Sequence, residues 1–275
     1  MLGHRLHQHF RAEHDSRVTL RGPLGAYAAY GLFDATNTYA NVDVRAFEGI
    51  ERAVADHNPQ VVVNAVGIVK QREDSSDAVA AIEVNALLPH RLITLCRRHN
   101  ARLIHISTDC VFSGRRGRYT ENDVPDAADL YGRSKLLGEV SDPPALTLRT
   151  SIIGPELARK SSLLEWFLAQ QGTISGFRKA IFSGFTTAEL ARIIGMLIAK
   201  HPDATGLFHV SSQPISKYDL LSLIRDRLHL STIIQPESKF ECDRSLDSTR
   251  FRTCFGYRPP SWEAMVDELA REVKT

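Results

Sequence analysis

Short runs of β-branched and aliphatic residues alternate with longer helical patterns over the first 150 residues of the chain. The runs that predict strands are Arg17–Arg21, Val61–Asn64, Ala101–Ser107 and Ala145–Thr150. The intervening patterns that predict helices are His4–Ala12, Val44–His57, Asp77–Asn100 and Leu130–Ser141. Because Val61-Val62-Val63 is apolar at every position, its strand is expected to be covered on both faces. This alternation predicts an α/β fold with a doubly wound parallel sheet.

The pattern changes after Gly154-Pro155, where helices become more frequent than strands. Helices are predicted at Ser161–Gln170, Thr186–Lys200, Ser216–Leu228 and Ser261–Lys274, with a short strand at Leu207–Val210. We therefore expect two interleaved parts, a sheet domain over residues 1–154 and a smaller, mainly helical lobe over residues 155–275.

Composition narrows the class of protein. The net charge is +2 and both signs are interspersed, so the sequence does not predict a nucleic-acid-binding surface. No apolar run is long enough to predict a membrane span. No secretory signal is recognised, and the four cysteines are widely spaced, as in a cytoplasmic protein with reduced thiols. The histidines near the N-terminus lack the cysteine or carboxylate partners of a metal site, so no metal is expected.

The motif Tyr131-Gly132-Arg133-Ser134-Lys135 carries the strongest chemical signal. Its four-residue spacing places Tyr131 and Lys135 on one face of a helix. A neighbouring ammonium, together with an oxidised nicotinamide, is expected to lower the pKa of the phenol from its usual value near 10. The phenol could then exchange a proton with a substrate near neutral pH. A surface pair on a helix is the alternative for this motif taken alone.

Two further segments follow predicted strands, where α/β sheets bind their ligands. Ser107 and Thr108 end one strand, and Thr108 could hydrogen-bond a substrate carbonyl; a strand-end cap without chemistry is the alternative. Asn64-Ala65-Val66-Gly67 follows another strand, and its small residues would let a dinucleotide approach the backbone. An ordinary turn explains that segment equally well. Asn85 is polar on an apolar helix and could brace the active-site strand, hold a water, or be a hydrogen-bonded core residue.

In this order, the segments NAVG, VNALLPHRL, HISTDCVFSG, YTENDVP, YGRSKLLGE and LTLRTSIIG resemble the dTDP-4-dehydrorhamnose reductase family of extended short-chain dehydrogenases/reductases. The resemblance continues through FSGFTTAELARII, GLFHVSSQPISKYDLL and RSLDSTRF, and so covers nearly the whole chain. It implies a Rossmann-type fold in which residues 1–154 bind a dinucleotide and residues 155–275 bind a nucleotide sugar. The implied activity is reduction of a 4-keto nucleotide-linked deoxysugar with NADPH or NADH, for polysaccharide biosynthesis.

The resemblance also implies roles for particular residues. Thr108, Tyr131 and Lys135 would form the catalytic set, and Tyr131 and Lys135 would also contact the cofactor. The other implied or suspected cofactor-binding residues are Gly3, Arg21, Asp43, Asn64, Ala65, Val66, Gly67, Ser107, Thr150, Ser151 and Ile152. Arg21 could pair with a 2′-phosphate, which favours NADP over NAD, and a surface arginine is the alternative.

The chain departs from the family pattern at its start. A glycine-rich loop normally follows the first strand of such a fold, and here only Gly3 remains of it. We expect either that the start codon lies further upstream or that cofactor binding is impaired. The first strand of the expected sheet is also missing from the pattern, and a homodimer in which a second subunit supplies a segment there would be another way to complete the sheet.

Two other functions stay open. Cys110 replaces the carboxylate that related dehydratases use as a base, which disfavours dehydration. A sugar-nucleotide epimerase is an alternative on the same scaffold. A non-catalytic regulatory protein, like the regulatory subunit of methionine adenosyltransferase, is the other, and the Thr108–Tyr131–Lys135 set argues against it.

Overall fold

A computed structural model describes residues 1–69, 77–158 and 160–274 and has an α/β fold. Its α-helices are α1 (Leu2–Phe10), α2 (Glu48–His57), α3 (Ala78–Ala81), α4 (Leu88–Arg98), α5 (Leu130–Leu137), α6 (Leu163–Leu168), α7 (Thr187–Lys200), α8 (Lys217–Leu228), α9 (Thr249–Phe255) and α10 (Trp262–Lys274). Its strands are β1 (Val18–Thr19), β2 (Thr38–Tyr39), β3 (Val61–Asn64), β4 (Arg102–Thr108), β5 (Ala145–Thr150), β6 (Ile152–Ile153), β7 (Thr173–Phe182), β8 (Phe185–Thr186), β9 (Gly206–His209), β10 (Ile215–Ser216) and β11 (Ile233–Asp243).

The central sheet has the strand order β3-β4-β5-β9, and every pair in it is parallel. Its two faces contact different apolar cores. One core contains Leu6 and Phe10 of α1 together with helices of the second half, and the other contains Val54 of α2 and Leu92 of α4. The sheet is therefore covered by helices on both sides, as the doubly wound prediction requires.

The strands β1 and β2 pair only with each other among the described residues, as a separate two-stranded parallel sheet. The ring of His57, at the end of α2, is hydrogen-bonded to the carbonyl of Asp15 at 3.0 Å. This contact brings the start of β1 close to the start of β3. A cavity of about 620 Å³ lies between these two strands.

In the first half, the observed elements follow the prediction closely, and β3 and β5 have the predicted bounds. The helix predicted from Val44 begins at Glu48 instead, because the Asp43 carboxylate accepts a hydrogen bond from the Arg45 N–H and holds a turn there. The long helix predicted from Asp77 is interrupted by a π-helical segment over Ile82–Leu87. Such segments often occur at functional sites.

In the second half, the two longest strands, β7 and β11, were not predicted. They pair in parallel, and β10 adds to β7 antiparallel. β11 is mostly exposed and contains Pro236, so its sequence shows neither an apolar run nor a clean alternation. The short strand β9 belongs to the central sheet beside β5, so the second half of the chain contributes to the first sheet.

The helical stretch Ala78–Arg98 is long and apolar enough to cross a membrane by length and composition alone. About 61% of its apolar window is buried inside the protein. Leu88, Leu92 and Leu95 are almost completely enclosed in the core beside the central sheet. This burial identifies the stretch as a core helix of the fold.

Candidate active site

The strand β4 ends at Thr108, and the chain then turns into a short 3₁₀ helix over Asp109–Val111. The Thr108 hydroxyl accepts a hydrogen bond from the Cys110 N–H at 3.1 Å and donates one to the Asp109 carboxylate at 3.2 Å. Asp109 is buried, and burial raises the pKa of its carboxyl despite the nearby Arg244 guanidinium. The strand-end cap that we considered for Thr108 is therefore real, and it fixes the hydroxyl at the sheet edge.

Helix α5 begins beside this turn. The Asp129 carboxylate caps the helix by accepting the Gly132 N–H at 2.9 Å. A Cβ on Gly132 would lie 2.3 Å from the carbonyl oxygen of Cys110, so a larger residue would force α5 away from the end of β4. This close approach places Tyr131 beside the end of β4, where Thr108 is near enough to influence the pKa of its phenol.

Burial is the largest influence on the Tyr131 phenol, and it raises the pKa above the usual value. The contact with Thr108 acts in the opposite direction and lowers the pKa. The pKa of Tyr131 is thus raised in the protein alone. The lowering that we expected from Lys135 together with an oxidised nicotinamide concerns the cofactor complex and stays a prediction. A group with this pKa is protonated at neutral pH and is ready to donate a proton.

Lys135 lies one helical turn after Tyr131 and is almost completely buried. Its ammonium donates a hydrogen bond of 2.7 Å to the carbonyl of Ile106, inside β4. Burial lowers the pKa of Lys135 to about 8, and Glu139 raises it in part. The group is therefore mainly charged at neutral pH, and it carries three N–H donors, of which the Ile106 carbonyl takes one.

Asn85, in the π-helical segment, connects the loop after β3 to α5. Its amide accepts the Ile68 N–H and donates to the Ile68 carbonyl, both at 2.9 Å, and it donates to the Ser134 hydroxyl at 3.1 Å. Of the three interpretations that we gave this residue, the structure shows the hydrogen-bonded core residue, and its bonds join the loop after β3 to α5 and do not reach β4. Asn85 was outside our predicted site, and its only sequence signal is an amide on an apolar helix.

Ser107 points into the protein and away from Thr108. Its hydroxyl donates to the Glu139 carboxylate at 2.6 Å, and Glu139 forms a buried salt bridge with Arg149 at 2.7 Å. Arg149 in turn contacts the ring of His209 at 3.1 Å. The side chain of Ser107, predicted to bind cofactor, is therefore committed to an internal polar network that the sequence did not reveal.

The loop Asn64–Gly67 leaves the sheet at the same edge as Thr108. Asn64 is buried, with its amide bonded to the ring of His105 at 3.1 Å and to the Val66 N–H at 3.2 Å. Val66 is exposed, and Gly67 lies against Asn85. Thr150 is the register partner of Thr108 on the neighbouring strand, and Ser151 and Ile152 follow it. The carboxyl ends of three adjacent strands thus bring most of the predicted residues to one edge.

The remaining predicted cofactor residues lie on the elements before β3. Gly3 is in the first turn of α1, where a Cβ would meet no atom within 4 Å, and it lines the cavity together with Asn64, Ala65 and Val66. Arg21 and Asp43 follow β1 and β2, and their side chains pair at 3.6 Å. Among the described residues, no group of three or more histidine, cysteine or acidic side chains could hold a metal ion.

A parallel doubly wound sheet with a threonine at a strand end, and a tyrosine and lysine one turn apart on the next helix, defines an extended short-chain dehydrogenase/reductase. The chain belongs to the RmlD substrate binding domain family, whose model matches residues 2–275.

Individual relatives agree with this assignment. The chain is 24% identical to a dTDP-4-dehydrorhamnose reductase of Aggregatibacter actinomycetemcomitans, over 84% of this chain and 87% of that protein. It is 28% identical to methionine adenosyltransferase 2 subunit beta of Danio rerio, over 82% of this chain and 79% of that protein. Its fold is similar to the crystal structure of the dTDP-4-dehydrorhamnose reductase of Bacillus anthracis in complex with NADP. The TM-score is 0.75 at 20% identity, and the match covers 94% of this chain and 99% of that chain.

Proposed function

We propose that this protein reduces the 4-keto group of a nucleotide-linked deoxysugar with NADPH or NADH. The observation that carries the proposal is the close packing of α5, which carries Tyr131, against the turn after Thr108 at the sheet edge, with the buried Lys135 ammonium one helical turn behind. Membership of the RmlD family, with a dTDP-4-dehydrorhamnose reductase among its relatives, supports the nature of the substrate. The enzyme would act in the cytoplasm as part of dTDP-rhamnose and polysaccharide biosynthesis.

Several features fit a nicotinamide dinucleotide. Lys135 has further N–H donors for a ribose, and Thr150, Ser151 and Ile152 would line the nicotinamide. The open space at Gly3, at the N-terminus of α1, suits a diphosphate. Arg21 would pair with a 2′-phosphate and Asp43 would lie near the adenine. When bound, the cofactor supplies the hydride.

The side chains of this chain would bind the keto oxygen of the substrate and supply its proton. The Thr108 hydroxyl, held by the Cys110 N–H, would turn its single O–H from the Asp109 carboxylate to the keto oxygen. Tyr131 would donate its proton to that oxygen as negative charge develops there. The positive charge of Lys135 would stabilise the phenolate left behind. The high pKa of Tyr131 suits the reductive direction, in which the phenol must start protonated.

The decisive experiment measures NADPH oxidation with a dTDP-linked 4-keto-6-deoxysugar. Tyr131→Phe removes only the hydroxyl and should lower kcat by about 10²- to 10⁴-fold, the usual contribution of a general acid. Tyr30→Phe, in the 3₁₀ helix Leu24–Tyr30, is the matched control and should keep full activity. Activity of Tyr131→Phe within about threefold of the parent protein would refute the catalytic role, since a general acid contributes far more.

A non-catalytic regulatory role is the second candidate, and the resemblance to methionine adenosyltransferase 2 subunit beta favours it. The same assay separates the two functions. A regulatory protein would show no turnover with any 4-keto nucleotide sugar, and Tyr131→Phe would not change its behaviour. An epimerase would instead interconvert sugars without net oxidation of NADPH.

A further inference from the structure

A row of polar side chains crosses the central sheet one residue before its carboxyl edge. Ser107 of β4 is the register partner of Arg149 on β5, and Arg149 is the partner of His209 on β9. Glu139, which follows α5, contacts this row. Its carboxylate accepts hydrogen bonds from the Ser107 hydroxyl at 2.6 Å and from the Arg149 guanidinium at 2.8 and 2.7 Å. The carboxylate is therefore fixed by two neighbouring strands, directly before the row that contains Thr108.

The Lys135 ammonium is held at the residue of β4 that precedes Ser107. The Arg102 N–H donates on the β3 side at 2.9 Å, and because successive residues of a strand alternate, the Ile106 carbonyl faces the β3 side as well. β3 ends before this point, and the ammonium donates to that carbonyl at 2.7 Å. The ammonium and the Glu139 carboxylate are thus anchored at adjacent residues of β4, whose Cα atoms are about 3.8 Å apart.

Two buried cations share this one carboxylate. Lys135 is 3% exposed, and the side chains of Arg149 and Glu139 are 5% and 7% exposed. Stability alone does not account for such a group, because a buried salt bridge is often no more stabilising than well-packed apolar side chains of similar volume. A carboxylate beside a buried ammonium has a second effect, since it favours the charged form that burial disfavours. In agreement, Glu139 raises the pKa of Lys135 against the effect of burial.

We propose that Glu139 is a positioning residue of the candidate active site, whose carboxylate is the counter-ion that keeps Lys135 charged. Ser107 and Arg149 hold this carboxylate in place. Arg149 also acts in the opposite sense, because its guanidinium repels the ammonium and takes part of the negative charge of Glu139. The consequence for turnover rests on the proposed function, in which the ammonium stabilises the Tyr131 phenolate, but the charge state of Lys135 does not.

Other titratable side chains lie on the elements around Lys135. Burial and the Lys135 charge hold the pKa of His105, on β4, well below its usual value, so its ring is neutral. Burial and Arg149 lower the pKa of His209 to about 4, and burial raises the pKa of the Tyr131 phenol. Further titratable side chains beside α5 are Asp109, Cys110, Glu83 and His90. All of these groups are unchanged in the variants that test the proposal, so their identity does not distinguish one variant from another.

The test measures the titration of Lys135 by NMR, in protein whose lysines are isotopically labelled at the ε carbon. The Lys135 signal is assigned by its absence from Lys135→Met. We expect the pKa of Lys135 to fall by about one pH unit in Glu139→Gln, the lower end of the usual effect of a neighbouring charge. In Arg149→Gln the pKa should rise by a similar amount, because a repelling cation is removed. In the double variant the two changes should largely cancel.

The direction of the change separates this role from a purely structural one. If the ion pair only held the strands and α5 together, Glu139→Gln would admit water, and reduced burial would raise the pKa of Lys135 toward its ordinary value. A rise or no change in Glu139→Gln would therefore overturn the proposal. Glu189→Gln is the matched control, because Glu189 is also buried and also pairs with an arginine, Arg192, at 2.7 Å. It should leave the Lys135 titration unchanged.

The double variant keeps the test valid if Glu139→Gln does not fold, because it contains no unpaired buried guanidinium. Its Lys135 pKa should be lower than that of Arg149→Gln by about one pH unit, and equal values would refute the counter-ion role. With NADPH and a dTDP-linked 4-keto-6-deoxysugar, the high-pH limb of kcat/KM should move with the Lys135 pKa. The expected titrations without turnover in the parent protein would support the counter-ion role and count against the proposed function.

Discussion

Replacement of Asn85 by alanine tests whether one buried amide supports both the fold and the proposed cofactor loop. The amide satisfies the N–H and the C=O of Ile68 at 2.9 Å each, and Ile68 is itself buried. In Asn85→Ala both backbone groups lose their partner. Ser134 keeps its own hydrogen bond to the Tyr131 carbonyl, at 3.0 Å, so α5 should remain in place.

The size of the effect follows from these two groups. Leaving a buried donor or acceptor without a partner costs about 1 to 3 kcal/mol. Two such groups give about 3 kcal/mol when part of the loss is recovered by relaxation or by a water molecule. The unfolding equilibrium constant should therefore rise more than about a hundredfold, since about 1.4 kcal/mol is a factor of ten. The loop after β3 should also become mobile, so KM for the cofactor should rise more than kcat falls.

Urea unfolding, monitored by circular dichroism, measures the stability, and NADPH titration of the initial rate measures KM. Asn37→Ala is the matched control, because Asn37 also makes several hydrogen bonds through its amide but does so at the protein surface. It should lose less than about 1 kcal/mol, because water replaces exposed partners. Equal losses in the two variants, or a loss below about 1 kcal/mol in Asn85→Ala, would refute the argument from burial.

Two further predictions concern charge and cofactor. Arg21→Ala should lower kcat/KM for NADPH by about tenfold, the value of one charged hydrogen bond at an exposed site, and leave NADH unaffected; equal losses would show a structural role. Burial and the nearby Arg149 lower the pKa of His209 to about 4, so in the folded protein the imidazole is neutral above that pH. The free energy of unfolding should then fall by up to about 3 kcal/mol as the pH is lowered from about 6.5 to 4. His209→Gln should remove only part of this loss, because the pKa of His4 is also lowered to about 4.

The sequence predicted the elements whose patterns are local. The apolar run Val61-Val62-Val63 located β3, because a strand covered on both faces is apolar, and the bounds of β5 were also predicted correctly. β7 and β11 were missed because their stability comes from pairing with each other across about sixty residues of chain, which no local pattern shows. The π-helical segment at Asn85 was missed for a related reason, since tertiary contacts with Ile68 and Ser134 hold it.

The candidate site was predictable to the extent that its residues lie in one motif or at strand ends. Tyr131, Lys135 and Thr108 come together as their spacing and strand position suggest. The partners of Ser107 were not predictable from the sequence. Glu139, which accepts its hydrogen bond, follows the end of α5, and Arg149, which pairs with Glu139, lies on the neighbouring strand β5. The lowered Tyr131 pKa that we expected with a bound oxidised nicotinamide stays a prediction, because in the protein alone burial raises this pKa.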